Sequence, residues 1–497
     1  MHGGISKQAG EVSLAKLLQA AGYQTAVFGK YGLGAHDIDK EGAIPESSSI
    51  VPQCSKKKST CQRLKFFEWL FSNRSAGQPA AVVQDGPGWA GFNYSFVSAQ
   101  GIQKYGPYCF FENDRLADGA TAAAAAATWW SPGMYQLENG YKTAIRGDSQ
   151  YPDQGGTGIS NGVESWKTDQ FDNQILAKAL EWLTLAASNH EEPFFMHFCT
   201  AAVHIPHVPS ALFHDGTTPI FGTTGSPHSD MIKSLDLTVG TLVARLDDLS
   251  VLPNTIVVFL SDNGGLRTST KSKYLEMYTA ANSPVAYPNP NPSLAHHSSA
   301  MGLRGVKGSV YEGGHRVPWI MRWDAGGSAV RAGASLNHLV GIEDLYSTLL
   351  DLASIDSKQI DATGVTAEAQ LPSFGMDTIS FKAGLLDPSS APRRDIFVIM
   401  KAKTMYPTEA EPDPDLFYGC RFQTWKAIFQ ATTGVLSDVY DLAVDPGESN
   451  NLLSTPAGNV WDGFGACGSK GPKSRAGYEA VHKCCTALLS LATARAP

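Results

Sequence analysis

The chain has 497 residues, 43% of them hydrophobic and 17% charged, with 49 Gly and 28 Pro. This composition excludes a disordered chain, a coiled coil and a collagen-like fibre, and leaves a loop-rich globular protein with one large core. The 39 Lys and Arg against 47 Asp and Glu give a net charge of -8, which argues against nucleic acid or anionic lipid as a partner gripped by the whole surface.

The opening, MHGGISKQAGEVS, has no apolar core of an export signal, and no run reaches the ~18 to 20 apolar residues of a transmembrane helix. Residues 13 to 28 then predict a helix capped by Ser13, with Leu14, Leu17, Leu18 and Ala21 on one face, a stop at Gly22 and a short strand to Phe28. Between about 40 and 165 the pattern dissolves into Gly, Ser, Pro and aromatic residues, and a rim of loops is expected there. Residues 169 to 185 carry Phe171, Ile175, Leu176, Leu180 and Leu183 at the 3-4 spacing of an amphipathic helix, and Pro193 opens the strand FFMHFC. A helix around 229 to 249, ending in the solvated Asp247 and Asp248, leads into TIVVFLS, an apolar strand of the kind buried in a parallel sheet. The basic segment LRGVKGSVYEGGHRVPWIMRW runs into another strand, and VYDLAVDPGESNNL reads as a strand, a turn and a helix start. The fold class is therefore α/β, a central, mostly parallel mixed sheet flanked by helices, with residues 1–380 as the main domain and 381–497 as a smaller α+β domain.

Three predicted strands end in polar clusters: Gly29-Lys30, the His204 and His207 stretch, and Ser261-Asp262-Asn263-Gly264. Ligands bind at the carboxyl ends of strands in open α/β sheets. Asp262 and Asn263 offer hard oxygen ligands suited to Ca²⁺ or Mg²⁺, and the same Asp-Asn-Gly also makes an ordinary tight turn. His204 sits in a loop stiffened by prolines, fit for proton transfer or for a plain surface role. Lys30 and Lys307 lie in Gly-flanked loops, where an ammonium can neutralise an oxyanion. Together these groups describe a site for a phosphate or sulfate ester. The eight Cys include Cys54 and Cys61 around a lysine run and the adjacent Cys484 and Cys485, and they read equally as disulfides or as reduced thiols. Sequons at Asn73 and Asn93 fit a secretory route.

These residues resemble the sulfatase family. GYQTAVFGKYGLG is similar to the family's GYxTAxxGKWxLG, and PFFMHFCTAAVHIPHVP, TIVVFLSDNGG, LRGVKGSVYEGGHRVPWIMRW and VYDLAVDPGESNNL follow in the family's order and spacing. GFNYSF and PYCFFENDR point to its arylsulfatase and galactosamine-sulfatase branch. The resemblance implies an alkaline-phosphatase-like fold and hydrolysis of a sulfate ester, on a small molecule or a sulfated glycan. It implies that Lys30 and Lys307 contact the sulfate, that His204 donates a proton to the leaving oxygen with His207 as its competitor, and that Asp262 and Asn263 are Ca²⁺ ligands. Two family features are not matched. Gly32 stands where the family has a histidine that assists the nucleophile, with His36 nearby. No Cys lies in the Cys-x-Pro-Ser-Arg context that becomes formylglycine, so formylglycine cannot form on these residues, and the paired acidic Ca²⁺ ligands before that motif are missing. The expectation is a sulfatase-like chain that starts downstream of the nucleophile, on a secretory or lysosome-like route if an upstream signal exists. The alternatives are a non-catalytic relative binding sulfated glycans or serving as a structural partner, and a phosphatase or phosphomutase of the wider superfamily.

Overall fold

The computed structural model describes residues 12–31, 86–98, 110–117, 129–130, 160–161, 167–265, 299–324, 332–355, 378–390, 396–402, 416–453 and 479–486, less a few positions inside these spans, together with Ile102 and Val330. They belong to two compact units. The first holds the described residues of Met1–Leu252 with Ile355; the second holds those of Pro253–Ser269, His296–Ser354 and Gly375–Pro497.

In the first unit, Ser13 caps helix α1 (Leu14–Ala20) by accepting the Lys16 amide at 3.0 Å, and the helix buries Ala15, Leu17 and Leu18. Ala21, expected on that face, is exposed at the helix end. Gly22, at φ +88°, then turns the chain into β1 (Gln24–Lys30). Next come β2 (Tyr94–Ser98), β3 (Phe110–Glu112), β4 (Arg115–Leu116) and the small pair β5 (Trp129–Trp130) and β6 (Ser160–Asn161). The apolar stripe of α2 (Phe171–Ser188) buries Phe171, Ile175, Leu176 and Leu183, as its spacing predicts, and Trp182 meets Phe28 of β1 edge-on at 6.1 Å. Strand β7 (Phe194–Cys199) and helix α3 (Pro227–Asp248) follow, with Ser226 capping the helix and Asp247 and Asp248 exposed at its end.

The main sheet has five strands in the order β4-β3-β2-β1-β7. Strand β1 runs parallel to β2 and to β7, and the β2–β3 and β3–β4 pairs are antiparallel. The mixed, partly parallel sheet flanked by helices is thus the expected fold class. One element corrects the sequence reading: YSFVS, placed among rim loops, is β2, a core strand buried along nearly its whole length. Its serines interrupt the apolar pattern, and burial on both faces of a parallel strand leaves no alternation to read.

In the second unit, β8 (Val257–Leu260) pairs antiparallel with β9 (Trp319–Arg322) in a two-stranded sheet and is half-buried, instead of being buried in a parallel sheet. A short, uniformly apolar run fixes neither the direction of its partner nor its faces. Helices α4 (Asp344–Leu352) and α5 (Lys382–Leu386) precede an antiparallel sheet of β10 (Ile396–Ala402), β11 (Leu416–Phe422), β12 (Trp425–Gln430) and β13 (Leu436–Asp441). Its core joins Phe422, Ala427, Phe429 and Val439, and a disulfide links Cys420 of β11 to Cys484. The turn expected after VYDL forms: Asp445 accepts the Ser449 and Asn450 amides at 3.0 and 2.8 Å. The helix start expected after it is not seen through Leu453, where this run of described residues ends.

Candidate functional site

The first unit carries Lys30 and His204 at the same end of adjacent parallel strands. Lys30 is the last residue of β1, in register with Ser98 of β2, and is partly buried. Gly29 before it, at φ +93°, lies so close to β7 that a Cβ would overlap the Cys199 carbonyl oxygen. Past Cys199 the chain is held by Asp172, in the first turn of α2, which accepts the amides of Ala201 and Ala202 at 2.8 and 3.0 Å. Burial pushes this carboxyl up to about 6, against the pull of those two N–H donors. The His204 amide then donates to the Ala201 carbonyl at 2.8 Å, so helix α2 and strand β7 jointly set where His204 emerges. His207 is different: it is 6% exposed, with its ring 4.7 Å from that of His228 in the first turn of α3. Burial first, and then His228 and His204, keep its imidazole well below the usual histidine range.

The second unit carries Asp262, Asn263 and Lys307 on two loops that lie against each other. After β8, the Gly264 amide donates to the Gly314 carbonyl at 3.0 Å, and a Cβ on Gly264 would overlap the Gly313 carbonyl. The Lys307 amide donates to the Gly265 carbonyl at 2.9 Å, so the loop carrying Lys307 is laced to the end of the Asp-Asn-Gly-Gly run. Asp262 is exposed, and Asn263 donates its side-chain amide to the Gly264 carbonyl at 3.2 Å, leaving its side-chain oxygen as the donor a cation would use. Ca²⁺ takes 6–8 oxygens. Among the described residues no group of three or more His, Cys, Asp or Glu is placed to hold a metal. Gly32, His36, Cys54, Cys61 and Asn73 lie outside the described residues. Asn93 is exposed, and its side-chain oxygen accepts the Thr25 amide at 3.0 Å.

The sequence reading missed a charged cluster beneath the Lys307 loop. Glu312 and Lys426 are buried and paired at 2.9 Å, and Lys426 also lies 3.0 Å from the buried Glu448. Arg421 adds a 3.1 Å bond to Glu312, and the Lys426 ammonium lies 3.2 Å from the His315 ring. Burial would raise Glu312, but Lys426, with His315 and Arg421, holds it below the usual carboxylate range. For Glu448 burial wins over Lys426 and raises it, and burial with Lys426 lowers His315 to about 4. The one available signal was a lysine inside the apolar strand WKAIF, where a charge needs a buried partner.

The mixed α/β sheet presents a basic group at the carboxyl end of β1 and an imidazole in the loop after β7, at the edge where open α/β sheets commonly bind ligands. Residues 94–355, more than half of the chain, match the Sulfatase family model, and the chain belongs to the sulfatase family. It is 27% identical to an N-acetylgalactosamine-6-O-sulfatase of Bacteroides thetaiotaomicron over 63% of this chain and 52% of that protein. It is 26% identical to human arylsulfatase A over 55% of this chain and 46% of that one. The chain thus spans about half the length of the curated relatives it matches. Its fold is similar to a solved Bacteroides thetaiotaomicron sulfatase from a locus for glycosaminoglycan metabolism, with a TM-score of 0.58 and 21% identity over 97% of this chain and 82% of that one. No helix among the described residues is long and apolar enough to cross a membrane.

Proposed function

We propose that the protein is a sulfuric ester hydrolase acting on a sulfated glycan or an aryl sulfate. The observation that carries this reading is the family match, which spans His204, Asp262, Asn263 and Lys307. Lys30 and Lys307 are the proposed sulfate contacts, since an ammonium neutralises an oxyanion. His204 donates a proton to the leaving ester oxygen. It is preferred to His207 because a buried imidazole held neutral has no proton of that acidity to give at neutral pH. Sulfatases in general bind Ca²⁺ and use formylglycine. Asp262 and Asn263 would hold the first with their side-chain oxygens, and no Cys in the sequence lies in a Cys-x-Pro-Ser-Arg context for the second. The second reading is a chain that binds sulfated glycans without cleaving them. The substrate class follows the named relatives, which act on sulfated N-acetylgalactosamine and aryl sulfates. A secretory or lysosome-like route is proposed on the Cys420–Cys484 disulfide.

The test is to express residues 1–497 alone and fused to a family-type segment carrying Cys-x-Pro-Ser-Arg, beside a formylglycine-generating enzyme, and to assay both on a chromogenic aryl sulfate and on 6-sulfated N-acetylgalactosamine. The fused form is expected to release sulfate and to lose roughly 100-fold or more in rate on Lys30→Ala, His204→Ala or Lys307→Ala. Sulfate release indifferent to all three substitutions refutes the residue roles. A fused form that binds sulfate tightly and releases none favours the non-catalytic reading.

A further inference from the structure

The Glu312, Lys426 and Glu448 cluster sits where a stability argument alone does not explain it. Burying an ammonium between two carboxylates gains little over an apolar core of the same volume, so such a cluster is better read as a device that fixes one arrangement of the elements it joins. What it joins here is specific. Lys426 lies on β12, Glu448 in the turn after β13, and Glu312 in the loop that follows Lys307. The Glu448 carboxylate accepts the Glu312 backbone amide at 2.7 Å, and the Glu448 carbonyl accepts from Arg304 at 2.9 Å. Arg304 also reaches the Tyr440 hydroxyl of β13 at 2.9 Å and stacks its guanidinium 3.9 Å from the centre of the Tyr311 ring. The loop therefore meets the sheet through charged contacts at Arg304 and Glu312, on either side of Lys307. Within the loop, the Gly313 amide returns to the Arg304 carbonyl at 2.7 Å and closes the segment into a ring that contains Lys307. Glu448 itself sits at φ +51°, a left-handed conformation that a non-glycine residue keeps only where its surroundings hold it.

We propose that Lys426, Glu448 and Glu312 are positioning residues for Lys307: the small antiparallel sheet is the brace that holds the Lys307 loop in its sulfate-binding conformation. The proposal rests on the reading of Lys307 as a sulfate contact. Its structural half, that the cluster braces the loop, stands apart from that reading and is tested apart from it.

The experiment compares the full chain with Glu448→Ala, Glu448→Gln and Lys426→Met by amide hydrogen exchange and by calorimetric titration with inorganic sulfate. Glu448→Ala is expected to speed exchange of the Val306, Lys307, Ser309 and Gly313 amides by about tenfold, the effect of losing one buried charged hydrogen bond, while amides of α2 and β1 keep their wild-type rates. Sulfate affinity should fall about fivefold or more in the same variant. Glu448→Gln keeps an oxygen for the Glu312 amide and should return both readouts to within about twofold of wild type. Lys426→Met, which strands two carboxylates, should loosen the loop at least as much as Glu448→Ala. If it does not fold, the two Glu448 variants decide alone. Unchanged loop exchange in Glu448→Ala overturns the proposal. So does faster exchange across the whole chain with no rescue by Glu448→Gln, because that marks a merely structural role. If the wild-type chain binds no sulfate, the functional reading of Lys307 fails, and the exchange comparison still decides the brace.

Discussion

Replacing Gly29 by alanine probes the contact that sets the end of β1 beside β7, and hence the position of Lys30. Two costs separate cleanly. The backbone at Gly29 has φ +93°, where an L side chain is strained by about 1–2 kcal/mol. The added methyl would also overlap the Cys199 carbonyl oxygen and lie 2.8 Å from its carbon and 3.0 Å from the Ile175 side chain. Relief requires β1 and β7 to part, at an overpacking cost of about 1–3 kcal/mol. The sum, about 2–5 kcal/mol, is a large part of the ~5–15 kcal/mol that holds a typical domain. Gly22 supplies the control, since its φ is +88° and nothing lies within 4 Å of a Cβ there. Gly22→Ala should thus carry only the backbone cost, about 1–2 kcal/mol. Urea unfolding of both variants, followed by far-UV circular dichroism, gives the two differences from wild type. Equal losses for Gly29→Ala and Gly22→Ala would refute the close approach of β1 to β7.

Asp172 has its carboxyl raised to about 6, so the stability it contributes is fully present below about pH 4 and is lost as pH rises through about 6. The denaturant midpoint of wild type should therefore fall over that window more steeply than that of Asp172→Asn, and parallel profiles would contradict the assignment. Calorimetric titration of the purified chain with Ca²⁺ should show weak binding or none, because Asp262 and Asn263 are two oxygen donors where 6–8 are wanted; a sub-micromolar site would contradict this. Removing the Cys420–Cys484 disulfide, which spans 64 residues, by double substitution to serine should cost about 2–5 kcal/mol in unfolding free energy. An unchanged urea midpoint under oxidising conditions would show that the bond does not form. Residues 1–497 alone should not turn over an aryl sulfate measurably, since charges that bind the ground state do not replace a nucleophile; turnover lost on His204→Ala would show that another residue has taken that role.

The parts of the fold that could be read from sequence are those with a strong local signal. Helix α2 announces itself by Phe171, Ile175, Leu176 and Leu183 at helical spacing, and α1 by the Ser13 cap and the Gly22 stop. Strands β1 and β7 are bounded by Gly and Pro. What failed were elements defined by their partners. YSFVS is a strand because β1 lies beside it, and Val257–Leu260 takes an antiparallel partner that an unbroken apolar run does not specify. The turn at Asp445, by contrast, was legible in Asp445-Pro446-Gly447, and its carboxylate holds the Ser449 and Asn450 amides. Of the candidate residues, Lys30, His204 and Asp262 were visible as polar residues after apolar runs, and Lys307 as a lysine in a Gly-flanked loop. Asp172 and the Glu312, Lys426 and Glu448 cluster were not, because their roles rest on contacts across 29 and 114 positions of sequence separation or more.

The proposed roles of Lys30 and Lys307 as sulfate contacts can be measured by binding. The most direct test is equilibrium titration of residues 1–497 with a non-hydrolysable aryl sulfonate, at two salt concentrations, for wild type, Lys30→Ala, Lys307→Ala and the double variant. Wild type is expected to bind with an affinity that weakens with salt, about tenfold or more weaker in each single variant and lost in the double. Binding of wild-type strength in the double variant would contradict those roles.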